Sequence, residues 1–298
     1  DVYKRQTLDP PGMMMSPDEL YLYYYGRSAP RTPQNGLGAL VRYERNLGNK
    51  GLKAYIAAQR SLRDADPTER YLAADNRVPM MRWVGNPGLK LEQHLLAEAG
   101  LVYQSERWLL AGSIHGDWVD DHILRDRARG QPGIGSSDRA SIYRNVDARF
   151  LGFELEFAHQ ITTNLRANAH LAYVQGTNTT EDRPLAQIPP LDGALGLEYA
   201  TDRFRIGGQV RFAAEQDRVD DSPVTGSGLD GSETPGWVTF DLDGRYRFTE
   251  RLEVRGGVRN LFDSTYAVHV NRANLFEATP QKINEPGRSI WVALNLAY

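Results

Sequence analysis

Hydrophobic and polar residues alternate strictly along the last sixty residues of the chain. Between 238 and 248 the even positions carry Val238, Phe240, Leu242, Tyr246 and Phe248, whereas the odd positions are threonine, aspartate or arginine. The same alternation returns at 252–262 and at 289–298. A period of two residues is typical of a β-strand with one apolar and one polar face. The pattern predicts three strands whose apolar face must be covered by something outside them.

The same alternation recurs upstream, and charged residues keep to one face throughout. It is clear at 151–157, 164–171, 191–199 and 203–212. From about Gly36 onward the sequence predicts eleven strands, with a possible twelfth at 19–25. The sequence therefore predicts an all-β, antiparallel fold.

The connections between the predicted strands alternate between very short and very long. The short ones lie near 46–51, 104–106, 160–163, 200–202 and 248–250, and the long ones near 63–89, 126–144, 176–189, 215–236 and 263–287. Outer-membrane β-barrels have tight periplasmic turns and extended external loops. A soluble β-sandwich also alternates in this way, but it has no reason to keep its long loops at one end. The pattern favours a transmembrane barrel.

Composition excludes several other classes. Mean hydropathy is −0.52 and no run approaches the ~20 apolar residues of a membrane helix, whereas a barrel strand needs only ~9–11 residues with every second one apolar. The net charge of −3 gives no indication of a nucleic-acid partner. The chain has no cysteine, which excludes disulfides, thiolate metal sites and cysteine nucleophiles.

Charged residues on the polar face indicate part of a wide barrel. Barrels of ~22 strands enclose a plugged lumen, so we expect about 11–12 C-terminal strands of such a barrel, with the plug domain missing. A complete small barrel with an even number of strands is the alternative. Residues 1–6 resemble the translation of a sequencing adapter, and we expect 7–298 to be the C-terminal part of the barrel.

Three motifs carry a family resemblance. Residues 260–266 read NLFDSTY, residues 285–288 read EPGR before the final alternating strand, and residues 86–92 read NPGLKLE. In this order they resemble TonB-dependent outer-membrane receptors, although Leu91 stands where these receptors usually have proline. The resemblance implies a monomer in outer-membrane lipid that imports a scarce nutrient. It also implies energy from the TonB–ExbB–ExbD complex through the missing N-terminal region, and recognition of the final strand, ending in Tyr298, by the barrel-assembly machinery.

A finer resemblance concerns the transported ligand. Residues 69–76, 182–191, and 269–274 together with 283–288 are similar to the copper-receptor branch of this family. The resemblance implies copper as the ligand, with a ferric siderophore as the alternative. A passive porin and a barrel enzyme also stay open, the latter only through the acidic and histidine residues at 117–122.

Methionine placement gives an independent argument for copper. All five methionines lie outside the predicted strands, and soft thioethers suit Cu(I) while imidazole suits copper in either state. The candidate metal ligands are Met13, Met14, Met15, Met80, Met81, His115 and His269. Flexible surface methionines are the alternative interpretation. We expect no catalytic residue, no bound cofactor and no enzymatic activity. Trp237, Trp291 and the tyrosines at 23–25 are interpreted as membrane-interface aromatics rather than ligand-stacking residues.

Overall fold

The computed structural model describes residues 14–28, 34–48, 51–274 and 281–297. One open sheet of eleven long strands dominates it, each antiparallel to the next along the chain. Five two-residue strands lie in the connections. In chain order the strands are β1 (Ala39–Asn46), β2 (Leu52–Arg63), β3 (Ala73–Ala74), β4 (Trp83–Val84), β5 (Glu92–Gln104), β6 (Trp108–Arg127), β7 (Ser141–Gln160), β8 (Leu165–Asn178), β9 (Arg183–Pro184), β10 (Asp192–Ala200), β11 (Phe204–Ala213), β12 (Trp237–Arg247), β13 (Leu252–Arg259), β14 (Ala273–Asn274), β15 (Gln281–Lys282) and β16 (Ser289–Leu296).

The eleven predicted strands are confirmed, whereas the possible twelfth at 19–25 is wrong. That segment forms helix α1 (Pro17–Tyr25). Ser16 caps it, the Glu19 side chain returns to the Ser16 backbone, and Gly26 ends it in the left-handed conformation at φ 64°. Such a capping box stabilises a helix start independently of any apolar alternation. Two shorter helices follow, α2 (Pro67–Tyr71) and a 3₁₀ turn (Pro79–Met81). No helix in the described ranges is long and apolar enough to cross a membrane.

All ten predicted connections are found, with the predicted lengths. Tight turns join β1 to β2, β5 to β6, β7 to β8, β10 to β11 and β12 to β13, whereas the intervening connections are long. Because consecutive strands are antiparallel, every long connection lies at the same end of the sheet. We call these connections, helix α1 and the outer ends of β6 and β7 the outer layer. The other end, with the tight turns, faces the periplasm in an outer-membrane barrel.

Strand registers sort the side chains into two faces, as predicted. On the apolar face, Trp108 and Trp118 mark the two ends of an exposed run along β6. Ten residue steps of about 3.3 Å, tilted by about 40°, give a height of about 25 Å, which matches the apolar band of a membrane barrel. Aromatic residues form a girdle on this face beside the tight turns, namely Tyr43, Tyr103, Trp108, Tyr199, Phe204, Tyr246 and Phe248.

The interface assignment of Trp237 and Trp291 is wrong, because both lie on the polar face. Trp237 is paired with Ala213 and Trp291 with Gly257, in register with charged neighbours such as Asp243. A Cβ at Gly257 would lie 2.8 Å from the Trp291 indole nitrogen. The glycine therefore makes room for this indole on the lumen side. The tyrosines at 23–25 belong to helix α1 and pack in the outer layer rather than on the barrel wall.

Among the described residues, three clusters of buried apolar side chains lie in the outer layer. Helix α1 contributes Leu20 and Tyr24, which pack with Val84, Ala140 and Ile142. A second cluster surrounds Val119, Leu124 and Val146, and a third joins Leu89, Ile123 and Tyr143. A single sheet has no second layer to bury its faces, so many large apolar side chains on the strands are exposed. The compact core forms where the loops fold onto one another.

In chain order, the three motifs that carried the resemblance are NPGLKLE, NLFDSTY and EPGR, and each has a structural role in this arrangement. In the first motif, the Asn86 side chain donates to the Tyr143 carbonyl at 3.0 Å and accepts from Gly88, which places Leu89 in the third cluster with no exposed surface. In the second, Asn260 holds φ at 49° and exchanges two hydrogen bonds with the Ser264 backbone. The Asn86 contacts fix the point where the chain enters β5, and the Asn260 contacts fix the point where the chain leaves β13.

The third motif is tied directly to the second. The Asp263 carboxylate accepts from the backbone nitrogen of Arg288 at 2.7 Å, and a Cβ at Gly287 would meet the same carboxylate at 2.6 Å. The NLFD and PGR segments therefore close the base of the last long connection. Tyr298 lies outside the described residues, as do residues 1–6.

Candidate functional site

The outer layer brings two of the predicted metal-ligand segments together. Met15 donates its backbone N–H to one carboxylate oxygen of Asp75, and the other oxygen accepts from Arg82 at 2.6 Å. Arg82 directly follows the 3₁₀ turn that carries Met80 and Met81. Met14, Met80 and Met81 are more than half exposed, whereas Met15 packs against the α1 cluster. Three thioethers are therefore presented to the outside. Met13 lies outside the described residues.

His115 is not brought to the methionines. It faces the lumen in the middle of β6, opposite Glu98 and Gly152. Arg127, at the outer end of β6, donates to the Met80 carbonyl at 3.3 Å. Twelve residues separate His115 from Arg127, which is about 40 Å along an extended strand. His115 and Met80 therefore cannot ligate the same ion in this conformation.

His269 lies in a different part of the outer layer and is almost completely buried. The Lys282 ammonium donates to its carbonyl at 2.7 Å and to the Thr234 hydroxyl at 2.6 Å, and lies 2.8 Å from its Nδ1. Nδ1 thus accepts from a cation, while Nε2 lies 3.5 Å from an Asp230 oxygen. Asp230, Thr234, His269 and Lys282 hold the β11–β12 and β13–β16 connections together, and we call these four side chains the clasp. Copper ligation through Nδ1 of His269 would require Lys282 to withdraw.

Burial and hydrogen bonding have opposite effects on the ionisation of this clasp. Burial raises the pKa of Asp230, but the nearby His269 ring and hydrogen bonds from the Asp220 backbone and Gln187 outweigh it and hold that pKa at about 2. Burial lowers the pKa of Lys282, and the attraction of Asp230 opposes this. Asp230 is therefore a carboxylate at neutral pH and anchors both connections.

Acid is expected to open the clasp. The pKa of Asp230 is lower in the folded protein than the ~3.9 of an unfolded chain, so its stabilising contribution is complete above about pH 4 and is lost as pH falls through about 2. The protection of the 263–272 segment, measured as its hydrogen-exchange rate relative to the intrinsic rate at the same pH, should stay high at pH 5 and fall towards pH 2. In Asp230→Asn the segment should exchange faster already at pH 5. An acid response of the same size in Asp230→Asn would contradict this assignment.

No group of three or more histidine and acidic side chains is placed to hold a metal ion within 14–28, 34–48, 51–274 and 281–297. A site built on thioethers belongs to a different donor class, so the methionine set stays a prediction.

A buried ion network is the largest polar feature that the sequence did not predict. Asp126, with no exposed surface, accepts from Arg144 at 2.7 Å, Arg129 at 3.0 Å and Arg183 at 3.3 Å. Glu181 lies 2.6 Å from Arg144 and 2.8 Å from Arg183. Asp220 completes the network through Arg183. Three arginines and three carboxylates thus balance one another and join three successive long connections.

A second polar cluster lies on the lumen face near the outer ends of β5 and β6. The His94 ring bridges Asp117 at 2.7 Å and Glu92 at 2.8 Å. Glu92 also accepts from Arg63 and from the Ile123 backbone, each at 2.8 Å. The acidic and histidine segment at 117–122 is thus part of an ion-pair network, and a β-bulge between Val119 and His122 interrupts it. The sequence identified Asp117 but not its partners on β5.

Two half-buried arginines near the outer end of β6 make no ion pair with a carboxylate in the described part of the chain. Arg125 stacks on Trp83, 4.1 Å from the ring centre. Arg127 donates to the carbonyl oxygens of Met80 and Arg139. A Cβ on Gly228 would meet the Arg127 side chain at 2.5 Å, so the β11–β12 connection lies directly against it. These cations lie beside the exposed methionines.

A scan of family models matches residues 22–261 to the TonB-dependent receptor-like β-barrel. The chain belongs to this family. Its localisation is therefore the bacterial outer membrane, where the exposed apolar band and the aromatic girdle contact lipid.

Curated relatives are receptors of the same kind. The iron-regulated outer membrane virulence protein of Vibrio cholerae is 26% identical over 225 residues, covering 72% of this chain and 32% of the relative. The ferric enterobactin receptor PirA of Pseudomonas aeruginosa is 25% identical, covering 72% of this chain and 29% of the relative. The chain thus spans about a third of the length of these receptors.

Solved structures share the fold. The copper transporter OprC superposes with a TM-score of 0.73 at 30% identity, covering 87% of this chain and 39% of that chain. The ferric enterobactin receptor PfeA of Pseudomonas aeruginosa gives a TM-score of 0.69 at 19% identity, covering 88% of this chain and 40% of that chain. The fold and family agree with the resemblance in the sequence motifs.

Proposed function

We propose that residues 7–298 are the C-terminal part of a barrel that imports copper across the outer membrane, as an active receptor and not as an enzyme. The observation that carries this proposal is the match to the copper transporter OprC, at 30% identity over 87% of the chain. The ferric enterobactin receptors reach lower identities, 19% for the solved structure of PfeA and 25% for the curated relative PirA. We propose TonB–ExbB–ExbD as the energy source, acting through residues upstream of this chain, and a monomeric receptor.

The methionine segments support the same ligand. Met14, Met80 and Met81 are exposed on the outer layer, where an incoming ion first meets the receptor. Asp75 connects the two segments that carry them. Thioethers select Cu(I) over harder ions such as Fe(III). We propose that these residues capture Cu(I) before it enters the lumen.

Replacing Met80 and Met81 together with leucine should weaken Cu(I) binding by about tenfold, since Leu keeps the volume of Met without its sulfur. The measurement is a competition titration of Cu(I) against the purified full-length receptor. Val78→Leu is the matched control, because Val78 is an exposed apolar residue of the same segment. Unchanged Cu(I) affinity in the double variant would show that these methionines do not bind the ion. Absence of copper binding by the wild-type receptor would contradict copper as the transported ligand.

A ferric siderophore is the second candidate ligand. Arg125 and Arg127 offer positive charge near the outer end of β6 without a carboxylate partner in the described residues, which suits an anionic iron chelate. The curated relatives named above include a ferric enterobactin receptor. Binding of an iron chelate without binding of copper would establish this alternative over the first.

A further inference from the structure

One lateral row of side chains on the lipid-facing surface lies at the outer end of the apolar band. Across four strands the registers place Arg60 beside Leu95, Leu95 beside Trp118, and Trp118 beside Arg149. Both arginines are exposed, and Trp118 marks the outer interface on β6. A charged side chain facing hydrocarbon is costly, so arginines in this row extend their guanidinium groups towards the lipid headgroups.

A cavity of about 330 Å³ opens directly above Arg60, and we call it the outer-face pocket. Its lining combines Arg60 and Lys90 with the amides of Gln34, Asn35 and Gln93 and with Asp121. Arg60 donates to Gln93 at 2.8 Å and to the Leu37 carbonyl at 2.9 Å, which fixes its guanidinium at the pocket.

The pocket can bind both an anion and a hydrogen-bond donor. Lys90 pairs with Asp121 at 3.0 Å, whereas no carboxylate in the described residues lies within ion-pair distance of Arg60. The lining thus carries one net positive charge. The Gln34 side chain donates to the Leu89 carbonyl at 2.7 Å, but its buried oxygen accepts no hydrogen bond in the described structure. A ligand with an acidic group and a hydroxyl or amide donor would satisfy both.

An apolar surface continues from the pocket towards the membrane centre. Val41, Ile56 and Leu95 lie on the same outward face, and each is more than half exposed. A soluble anion would leave this surface to lipid tails alone, whereas a lipid would cover it with its own chains. The combination of cation, amide and apolar wall therefore matches a phosphorylated sugar lipid.

We propose that the outer-face pocket binds the phosphorylated glucosamine headgroup of lipopolysaccharide, the glycolipid of the outer leaflet. Arg60 and Lys90 contact a phosphate, the Gln34 oxygen accepts from the sugar or its amide, and the acyl chains lie along Val41, Ile56 and Leu95. This inference rests on the outer-membrane localisation and is independent of which metal is transported.

Native mass spectrometry of the purified full-length receptor with diphosphoryl lipid A tests the proposal. Arg60→Gln combined with Lys90→Gln should weaken the retention of lipid A by about 30-fold, the effect of removing two cations beside an anionic lipid surface. Arg45→Gln is the matched control, because Arg45 is exposed on the same lipid-facing surface of β1 but beside the tight turns, at the opposite leaflet. We expect lipid A binding by this control to equal that of wild type.

A second measurement on the wild-type receptor needs no variant. Lipid A with its phosphates removed, and phosphatidylglycerol, should each compete at least tenfold more weakly than diphosphoryl lipid A. Equal competition by dephosphorylated lipid A would overturn the phosphate assignment, and equal competition by phosphatidylglycerol would reduce the pocket to an unspecific anionic-lipid surface. Unchanged lipid A binding in the double variant, with its barrel shown to be folded by heat-modifiable migration, would also overturn the proposal.

Discussion

Expressed alone, the 298-residue chain is expected not to insert into lipid bilayers as a folded barrel. Among the described residues, β1 pairs only with β2, and β16 pairs only with β13, so the sheet has two open edges. Each edge presents a row of unpaired backbone groups, and each such group costs several kcal/mol in hydrocarbon. Eight residues at each edge make the total prohibitive. Closure of the barrel by further strands would remove this cost.

Heat-modifiable migration and protease resistance after reconstitution into liposomes measure the outcome. The full-length receptor, treated identically, is the control and should give a fast-migrating, resistant band. The chain alone should give neither. A resistant, heat-modifiable band from the chain alone would show that its edges close, by oligomerisation or by pairing β1 with β16.

Asp126→Asn is expected to be the most damaging single substitution in the outer layer. The carboxylate is fully buried and holds Arg144, Arg129 and Arg183. Removal of one partner from a buried ionic network typically costs about 3–5 kcal/mol, because the remaining charges are left buried and unpaired. The connections after β6, β8 and β11 should then separate locally while the barrel wall stays intact. Limited proteolysis of the full-length receptor should show new cleavage within 128–140 and 214–236.

Glu44→Gln is the matched control for this substitution. Glu44 is also a carboxylate with two cationic partners, Arg42 and Lys53, but it is exposed on β1. Surface ion pairs contribute little because water already solvates both charges. The control should be cleaved like wild type. Similar protection in Asp126→Asn and wild type would show that the apolar clusters alone hold the outer layer.

The segment at 19–25 shows how two patterns compete in one sequence. Its alternating tyrosines and leucines fit a strand, but Ser16, Pro17 and Glu19 form a complete helix start. The capping signal acts on the backbone hydrogen bonds of the first turn, whereas short-range alternation needs a neighbouring strand to pair with. In this segment the local signal decides, and it was available in the sequence.

The ion network and the clasp could not be predicted in this way. Arg183 and Asp126 are 57 residues apart, and Lys282 and Thr234 are 48 residues apart. Every long connection contains at least one arginine and at least two acidic residues, and nothing in their spacing selects one pairing. The partners are chosen by which loops fold onto each other above the strands. The same is true of the methionine segments, which Asp75 connects.

Sequence alone determined the wall of this protein. A two-residue period fixes which side chains face lipid and which face the lumen, and connection length fixes which end of the sheet carries the loops, because both properties are local to single strands and turns. Only the tertiary structure decided the outer layer, including the burial of Asp126 and His269 and the separation of His115 from Met80. Those features depend on contacts between distant segments, and these contacts stabilise the protein only once the loops have packed together.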